Sequence, residues 1–294
     1  MRVAIIGANG QLGADASAEF EAAGHEILGL THRQLEIADA DAVRDVLNRA
    51  APDLVINTAA MHHVDRCESR ARDAFTVNAI GARNLAVHSR DSGVPLMHVS
   101  TDYVFDGKKQ SPYVETDLPG PLNVYGNTKL AGEHFITSTA ERHYVLRVSG
   151  LYGVNVCRAK GPNFVERMLD LADRREEVRV VDDEVLTPTS TREVARQMVR
   201  LAGTDCYGVI HATAEGSCSW FEFTREIFRL AGVTTRLEVA RPDEFPAKAP
   251  RPAYCVLENA RLERAGLNLF RPWNVALVEY LQARANPAGS AEQR

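Results

Sequence analysis

The chain has 294 residues, 45% of them hydrophobic and 25% charged, which is material for a sizeable core in one or two domains. A net charge of -5 without blocks of Lys or Arg argues against nucleic acid or a membrane surface as partner, and no apolar stretch reaches the roughly 18 residues needed to cross a bilayer. The composition reads as that of a cytoplasmic protein.

In chain order, Arg2-Val-Ala-Ile-Ile6 is a short apolar run without the flanks of a targeting segment, so it predicts a buried first strand. It leads into Gly7-Ala-Asn9-Gly10-Gln11-Leu12-Gly13. Glycines at this three-residue spacing, between a strand and the helical pattern of Ala14 to Ala23, let a backbone turn tightly and approach a pyrophosphate at a helix N-terminus. Further apolar runs at 25–30, 54–57, 95–100 and 144–148 predict strands. Helical patterns at 39–48, 71–92 and 129–138 fall between them. The fold class is α/β, a doubly wound parallel sheet of Rossmann type over residues 1–150, with the strand carboxyl ends gathered at one crevice.

The second half adds strand-like runs at 178–181 and 209–211 and helical patterns at 192–201 and 221–231, read as a smaller α/β substrate-binding lobe over 151–284, parts of which can return to the first domain. The stretch from Arg241 to Pro252 carries four prolines and must be loop. Residues 285–294 read as a flexible tail. The five cysteines, Cys67, Cys157, Cys206, Cys218 and Cys255, are odd in number and far apart, which suits reduced structural thiols. His62 and His63 are adjacent and so point in different directions. They read as loop residues near a site mouth, and no metal site is predicted.

The chemistry is concentrated in two segments. Tyr125 is the single one of 8 tyrosines with Lys four residues on, at Lys129, and that spacing puts both side chains on one helix face. The ammonium should pull the phenol down from its reference pKa of about 10, making an acid for a carbonyl oxygen. Val99-Ser-Thr101-Asp102-Tyr103-Val-Phe-Asp-Gly107 follows a strand at the ligand edge, where the Thr101 hydroxyl can hold the same oxygen.

The glycine turn, Ser-Thr-Asp-Tyr-Val-Phe-Asp-Gly and Tyr-Gly-x-x-Lys together resemble the dTDP-4-dehydrorhamnose reductase family of extended short-chain dehydrogenase/reductases. The similarity extends through Asn57-Thr58-Ala59-Ala60, Val64-Asp65, Glu68, Phe75 to Asn78, Asn163-Phe-Val165, Thr187-Pro-Thr189, Ser219 to Phe223 and Arg251-Pro252. The resemblance implies a catalytic trio of Thr101, Tyr125 and Lys129, with Lys129 also reaching the nicotinamide ribose. Gly7, Asn9, Gly10, Gln11, Leu12, Gly13, Arg33, Glu36, Ile37, Thr58, Ala59 and Ala60 would line the cofactor, and Asp102, Tyr103 and Arg251 the nucleotide-sugar substrate. The implied reaction is NAD(P)H-dependent reduction of the C4 carbonyl of a nucleotide-linked 6-deoxy-4-ketohexose, giving dTDP-L-rhamnose. Thr31-His-Arg33 after the second strand offers a hydroxyl and a cation to a 2′-phosphate, so NADPH is favoured and NADH remains an alternative.

Two departures from the family pattern stand out. Gly150 occupies the place of a tryptophan that packs on the sugar nucleotide. Asp15 and Arg192-Glu193 stand where some members bridge a homodimer through Mg2+, and the arginine reverses one charge there, which weakens the case for that ion. Two alternatives stay open: a nucleotide-sugar epimerase or dehydratase of the same fold, and a non-catalytic NADP-binding regulatory subunit like that of methionine adenosyltransferase. A dehydratase would carry a Glu after Asp102, where this chain has Tyr103.

Overall fold

The run Arg2–Ile6 forms strand β1, with Val3 and Ile5 in one apolar core and Ala4 and Ile6 in another, as the two-residue period of a strand demands. The computed structural model describes residues 1–155, 161–241, 244 and 248–285. Helix α1 (Gln11–Ala22) returns along the first face, β2 (Glu26–Leu30) pairs parallel to β1, and α2 (Ala40–Ala50) starts at Asp39, whose carboxylate accepts from the amides of Asp41 and Ala42. Strand β3 (Leu54–Asn57) is buried throughout and lies on the other side of β1. Two short helices follow, α3 (Val64–Ser69) and α4 (Ala71–Phe75). A π-helical stretch, Thr76–Gly81, joins α4 to α5 (Ala82–Ser92). The single helix predicted over 71–92 is therefore helical but widened at its centre, where the Asn78 side chain ties Met61 to Thr128.

Strand β4 (Leu96–Thr101) ends in a 3-10 turn, Asp102–Val104, and is followed by α6 (Val124–Thr139) and β5 (His143–Val148). Beyond β5 come β6 (Leu151–Tyr152), α7 (Phe164–Arg174), β7 (Glu177–Val180), β8 (Val185–Leu186), β9 (Thr189–Ser190), α8 (Thr191–Leu201), β10 (Gly208–His211), β11 (Cys218–Ser219), α9 (Trp220–Ala231), β12 (Arg236–Val239), α10 (Ala260–Arg264) and α11 (Trp273–Ala285). The main sheet has six parallel strands in the order β10-β5-β4-β3-β1-β2, so the direction of winding reverses between β1 and β3. A ligand crevice is expected at that reversal, at the carboxyl ends.

The two faces of the sheet bury separate cores. One joins β1 to Phe20 of α1 and to Val194 and Met198 of α8. The other joins it to Leu47 of α2, Leu85 of α5 and Ile136 of α6. A third core, built on Tyr152, Val165, Phe223, Ile227 and Tyr280, holds α7, α9 and α11 together over the small strand pairs β7–β12 and β8–β11. Residues 191–211, from the second half, thus complete the main sheet and its helical layer. Cys67, Cys206, Cys218 and Cys255 are free thiols; Cys157 and residues 286–294 of the expected tail lie outside the described residues, as do 242–243 and 245–247 of the proline-rich loop.

Candidate active site

Helix α6 begins at Val124, five residues before the predicted start, because Asn123 caps it: its Oδ1 accepts from the Gly126 amide at 2.8 Å. The same side chain donates to the Pro250 carbonyl at 2.9 Å, tying the helix to the proline-rich loop. Gly126 permits a close approach to the turn after β4, since a Cβ there would stand 2.2 Å from the Tyr103 carbonyl oxygen. Tyr125 is consequently delivered to the carboxyl end of β4, where its phenol meets the Thr101 hydroxyl and its ring meets Tyr103 edge-on at 5.9 Å.

Lys129 lies one turn further on the same helix and is 2% exposed. Its Nζ donates to the Val99 carbonyl at 2.7 Å and lies 3.1 Å from His98 Nε2, while His98 Nδ1 is 3.0 Å from Asn57 Nδ2 on β3. The expected lowering of the phenol is not found. Burial pushes the Tyr125 phenol well above its usual value, Thr101 offsets part of that, and Asp102 and Cys67 raise it further. Burial also pulls the Lys129 amine down to about 8, against the opposing pull of Glu133. The pair shares a helix face, but the amine is drawn to β4 rather than to the phenol.

Asp102 turns inward. Thr101 donates to one carboxylate oxygen at 2.9 Å and Ser149 to the other at 2.7 Å, and burial raises its pKa to about 6. Tyr103 is partly buried beside it, and Arg251 reaches the same area, 3.7 Å from Asp65 and within the field of Tyr103 and Glu184. Beneath the site, Glu133 continues the Tyr125–Lys129 face by another turn. It accepts from Arg147 of β5 at 3.0 and 2.6 Å and from Ser100 of β4, and the guanidinium stacks on Phe105 at 5.1 Å. His98, Glu133, Arg147 and Ser149 were not among the predicted site residues. The alternation of β4 offered a signal for the first: Leu96, His98 and Ser100 share the face that α6 covers.

The dinucleotide turn is built as the glycine spacing requires. Gly7 has φ +80, and a Cβ on it would meet Thr58 Oγ1 at 2.7 Å; a Cβ on Gly13 would meet the Gly7 carbonyl oxygen at 2.2 Å. Gly10 caps α1 with no side-chain bond and no acid follows in the first turn, so the helix presents unclaimed amides to an anion. Leu12 faces the core, Asn9 faces outward, and Gln11 donates to the carbonyls of Gly153 and Asn155, closing the crevice floor. Across the crevice Thr58 donates to the Ile6 carbonyl, the Ala59 amide donates to Asn57 Oδ1, and Ala60 continues the loop. At the end of β2, Arg33 is exposed, Glu36 is engaged by His32 and the Ala38 amide, and Ile37 is buried. These groups fit a dinucleotide.

The same cannot be said for Mg2+ at Asp15 and Glu193. Asp15 accepts from Thr191 and Asn155, while Arg271 sits between Glu193 and Glu279 at 2.7 and 2.6 Å and already supplies the positive charge. Among the described residues no group of three His, Cys, Asp or Glu side chains is placed to hold a metal ion. Gly150 has φ +53, and a Cβ there would stand 2.8 Å from Leu186 Cδ1 and 3.1 Å from Pro188 Cα, so any larger side chain is strained at this position. No described helix is long and apolar enough to cross a membrane.

Residues 1–286 match the family model for the RmlD substrate binding domain. The chain belongs to the dTDP-4-dehydrorhamnose reductase family. It is 39% identical to the spore coat polysaccharide biosynthesis protein SpsK of Bacillus subtilis, over 97% of this chain and 98% of that protein, and 37% identical to a dTDP-4-dehydrorhamnose reductase of Sinorhizobium fredii, over 90% and 91%. Among solved structures, the dTDP-4-dehydrorhamnose reductase of Clostridium acetobutylicum superposes with a TM-score of 0.91 at 38% identity, covering 96% of this chain and 99% of that one. The Bacillus anthracis reductase, solved in complex with NADP, gives 0.91 at 36% identity, covering 95% and 98%. As a member of this family the chain is an NAD(P)H-dependent oxidoreductase of Rossmann-type fold.

Proposed function

We propose that the protein reduces the C4 carbonyl of a dTDP-linked 6-deoxy-4-ketohexose, converting dTDP-4-dehydrorhamnose to dTDP-L-rhamnose, with NADPH as the reductant. The observation that carries this reading is the meeting of the Tyr125 phenol and the Thr101 hydroxyl at the carboxyl end of β4, on the same edge of the sheet as the glycine turn between β1 and α1. NADPH held by the residues of the glycine turn would supply the hydride for the carbonyl carbon. Tyr125 donates its proton to the carbonyl oxygen and Thr101 orients that oxygen. A phenol raised by burial suits this role, because it stays protonated until the oxygen acquires charge.

The backbone amides at Gln11 to Gly13 would bind the pyrophosphate and Arg33 the 2′-phosphate. Arg251, leaving its long contact with Asp65, would take the nucleotide diphosphate of the substrate. Asp102 would serve the sugar indirectly, by fixing Thr101. A cytoplasmic location and a homodimer belong to the same reading.

The test measures NADPH oxidation with and without the dTDP-4-keto-6-deoxysugar. Wild type should turn over only with the sugar, and Tyr125→Phe should lose about 10²- to 10⁴-fold in rate while retaining NADPH binding. Binding of NADPH without turnover on any 4-keto sugar nucleotide would transfer the case to a regulatory scaffold.

A further inference from the structure

The hydrogen bonds around Lys129 form a chain whose direction is set at its far end. The Ala59 backbone amide can only donate, and it donates to Asn57 Oδ1 at 3.1 Å. The other atom of that side-chain amide, Nδ2, therefore faces His98 Nδ1 at 3.0 Å as a donor, and Nδ1 must accept. A neutral imidazole that accepts at Nδ1 carries its proton on Nε2. A doubly protonated ring is disfavoured because His98 is 1% exposed and its Nδ1 already faces the donor Asn57 Nδ2.

That leaves Nε2–H pointing at Lys129 Nζ, 3.1 Å away, while Nζ donates to the Val99 carbonyl at 2.7 Å. An ammonium has no lone pair, so it would set N–H against N–H in a buried site. A neutral amine accepts from Nε2–H and still donates to Val99, so no contact in this series sets one donor against another.

We propose that Asn57 and His98 are positioning residues that bias Lys129 toward its neutral amine form in the cofactor-free protein. The proposal rests on the reductase reading of the Tyr125–Lys129 pair and adds the resting proton state of that pair. The other groups facing Lys129 do not reverse it. Glu133 on α6 favours the ammonium, but its carboxylate is engaged by Arg147 of β5 and Ser100 of β4. Tyr125 stays a neutral phenol, Asp102 in the turn after β4 is turned to Thr101 and Ser149, and Cys67 of α3 donates to the Met61 carbonyl. In the free protein Lys129 therefore gives the phenol weakened cationic help, while burial raises the phenol.

The test is NMR on the full chain without cofactor. With 13Cε-labelled lysine there are five side chains to resolve, and Lys129→Met assigns the resonance; 15N-labelled histidine, assigned with His98→Gln, reports which ring nitrogen carries the proton. Wild type should show the His98 proton on Nε2 and a Lys129 midpoint lowered to about 8, apart from the lysines that titrate near about 10.4. Asn57→Asp makes both amide-side atoms acceptors, so the His98 proton should move to Nδ1 and the Lys129 midpoint should rise by more than about one pH unit.

A proton on Nδ1 in wild type, or a Lys129 midpoint among the other lysines, overturns the proposal; so does a folded Asn57→Asp protein whose midpoint is unmoved. If that variant does not fold, the two wild-type measurements decide alone. Lack of turnover with a His98 proton on Nε2 would sink the reductase reading and leave this one standing.

Discussion

Replacing Glu133 with Leu tests how α6 is locked onto the sheet. Glu133 and Arg147 are 2% and 4% exposed, in two-point contact, and Arg147 Nη1 already lacks a hydrogen-bond partner. Removing the carboxylate leaves a buried guanidinium with Phe105 as its remaining neighbour of note, a loss that costs about 3–5 kcal/mol against a typical total stability of about 5–15 kcal/mol. Glu133→Leu combined with Arg147→Met removes both charges and should recover at least half of that loss, since the dominant penalty is the unpaired ion rather than the missing pair. Equilibrium urea unfolding followed by far-UV circular dichroism gives both numbers, provided the m-values agree. A loss below about 1 kcal/mol in the single variant would refute the reasoning, as would a double variant whose loss equals the sum of the singles.

Three further outcomes follow from individual positions. Gly13→Ala puts a Cβ 2.2 Å from a backbone oxygen that cannot move without opening the turn, so NADPH affinity should fall at least tenfold in a fluorescence titration. Gly150→Trp should not restore an aromatic wall: the left-handed backbone and the contact with Leu186 should lower stability by about 2 kcal/mol or more, read as a drop in melting temperature. Asp102 has a folded-state pKa of about 6 against 3.8 for the free side chain, so the folded state holds the extra proton between those values. Its contribution to stability is complete below about pH 4 and is lost as pH rises through about 6, by up to about 3 kcal/mol. Urea unfolding across that window should show the slope in wild type and a flat difference in Asp102→Asn; equal slopes in the two proteins would exclude Asp102 as its source.

Local pattern carried the reading furthest where burial is continuous. β1, β3, β4 and β5 are largely buried strands, and each lies within a residue or two of its predicted span. The pairs β6–β9 and β8–β11 contribute two residues per strand, too few for any period to register. The helical pattern from Lys129 falls short of the true start of α6 because the Asn123 cap brings Tyr125 into the helix. Placement of β10 beside β5, and of α8 against α1, depends on crossovers of more than forty residues that no window of sequence contains.

At the site, the spacing of Tyr125 and Lys129 was legible while the state of their protons was not. Sequence distance says that a phenol and an amine share a helix face. It does not say that β4 passes beneath and claims the amine through Val99 and His98, or that the phenol is raised by desolvation more than its neighbours lower it. Identity of side chains therefore assigns candidates for the chemistry, whereas the direction of a proton is decided by atoms as remote as the Ala59 amide, two strands away from the helix it governs. For that reason a substitution at Asn57, which touches neither reacting residue, is the sharper probe of how Lys129 works than a substitution of Lys129 itself.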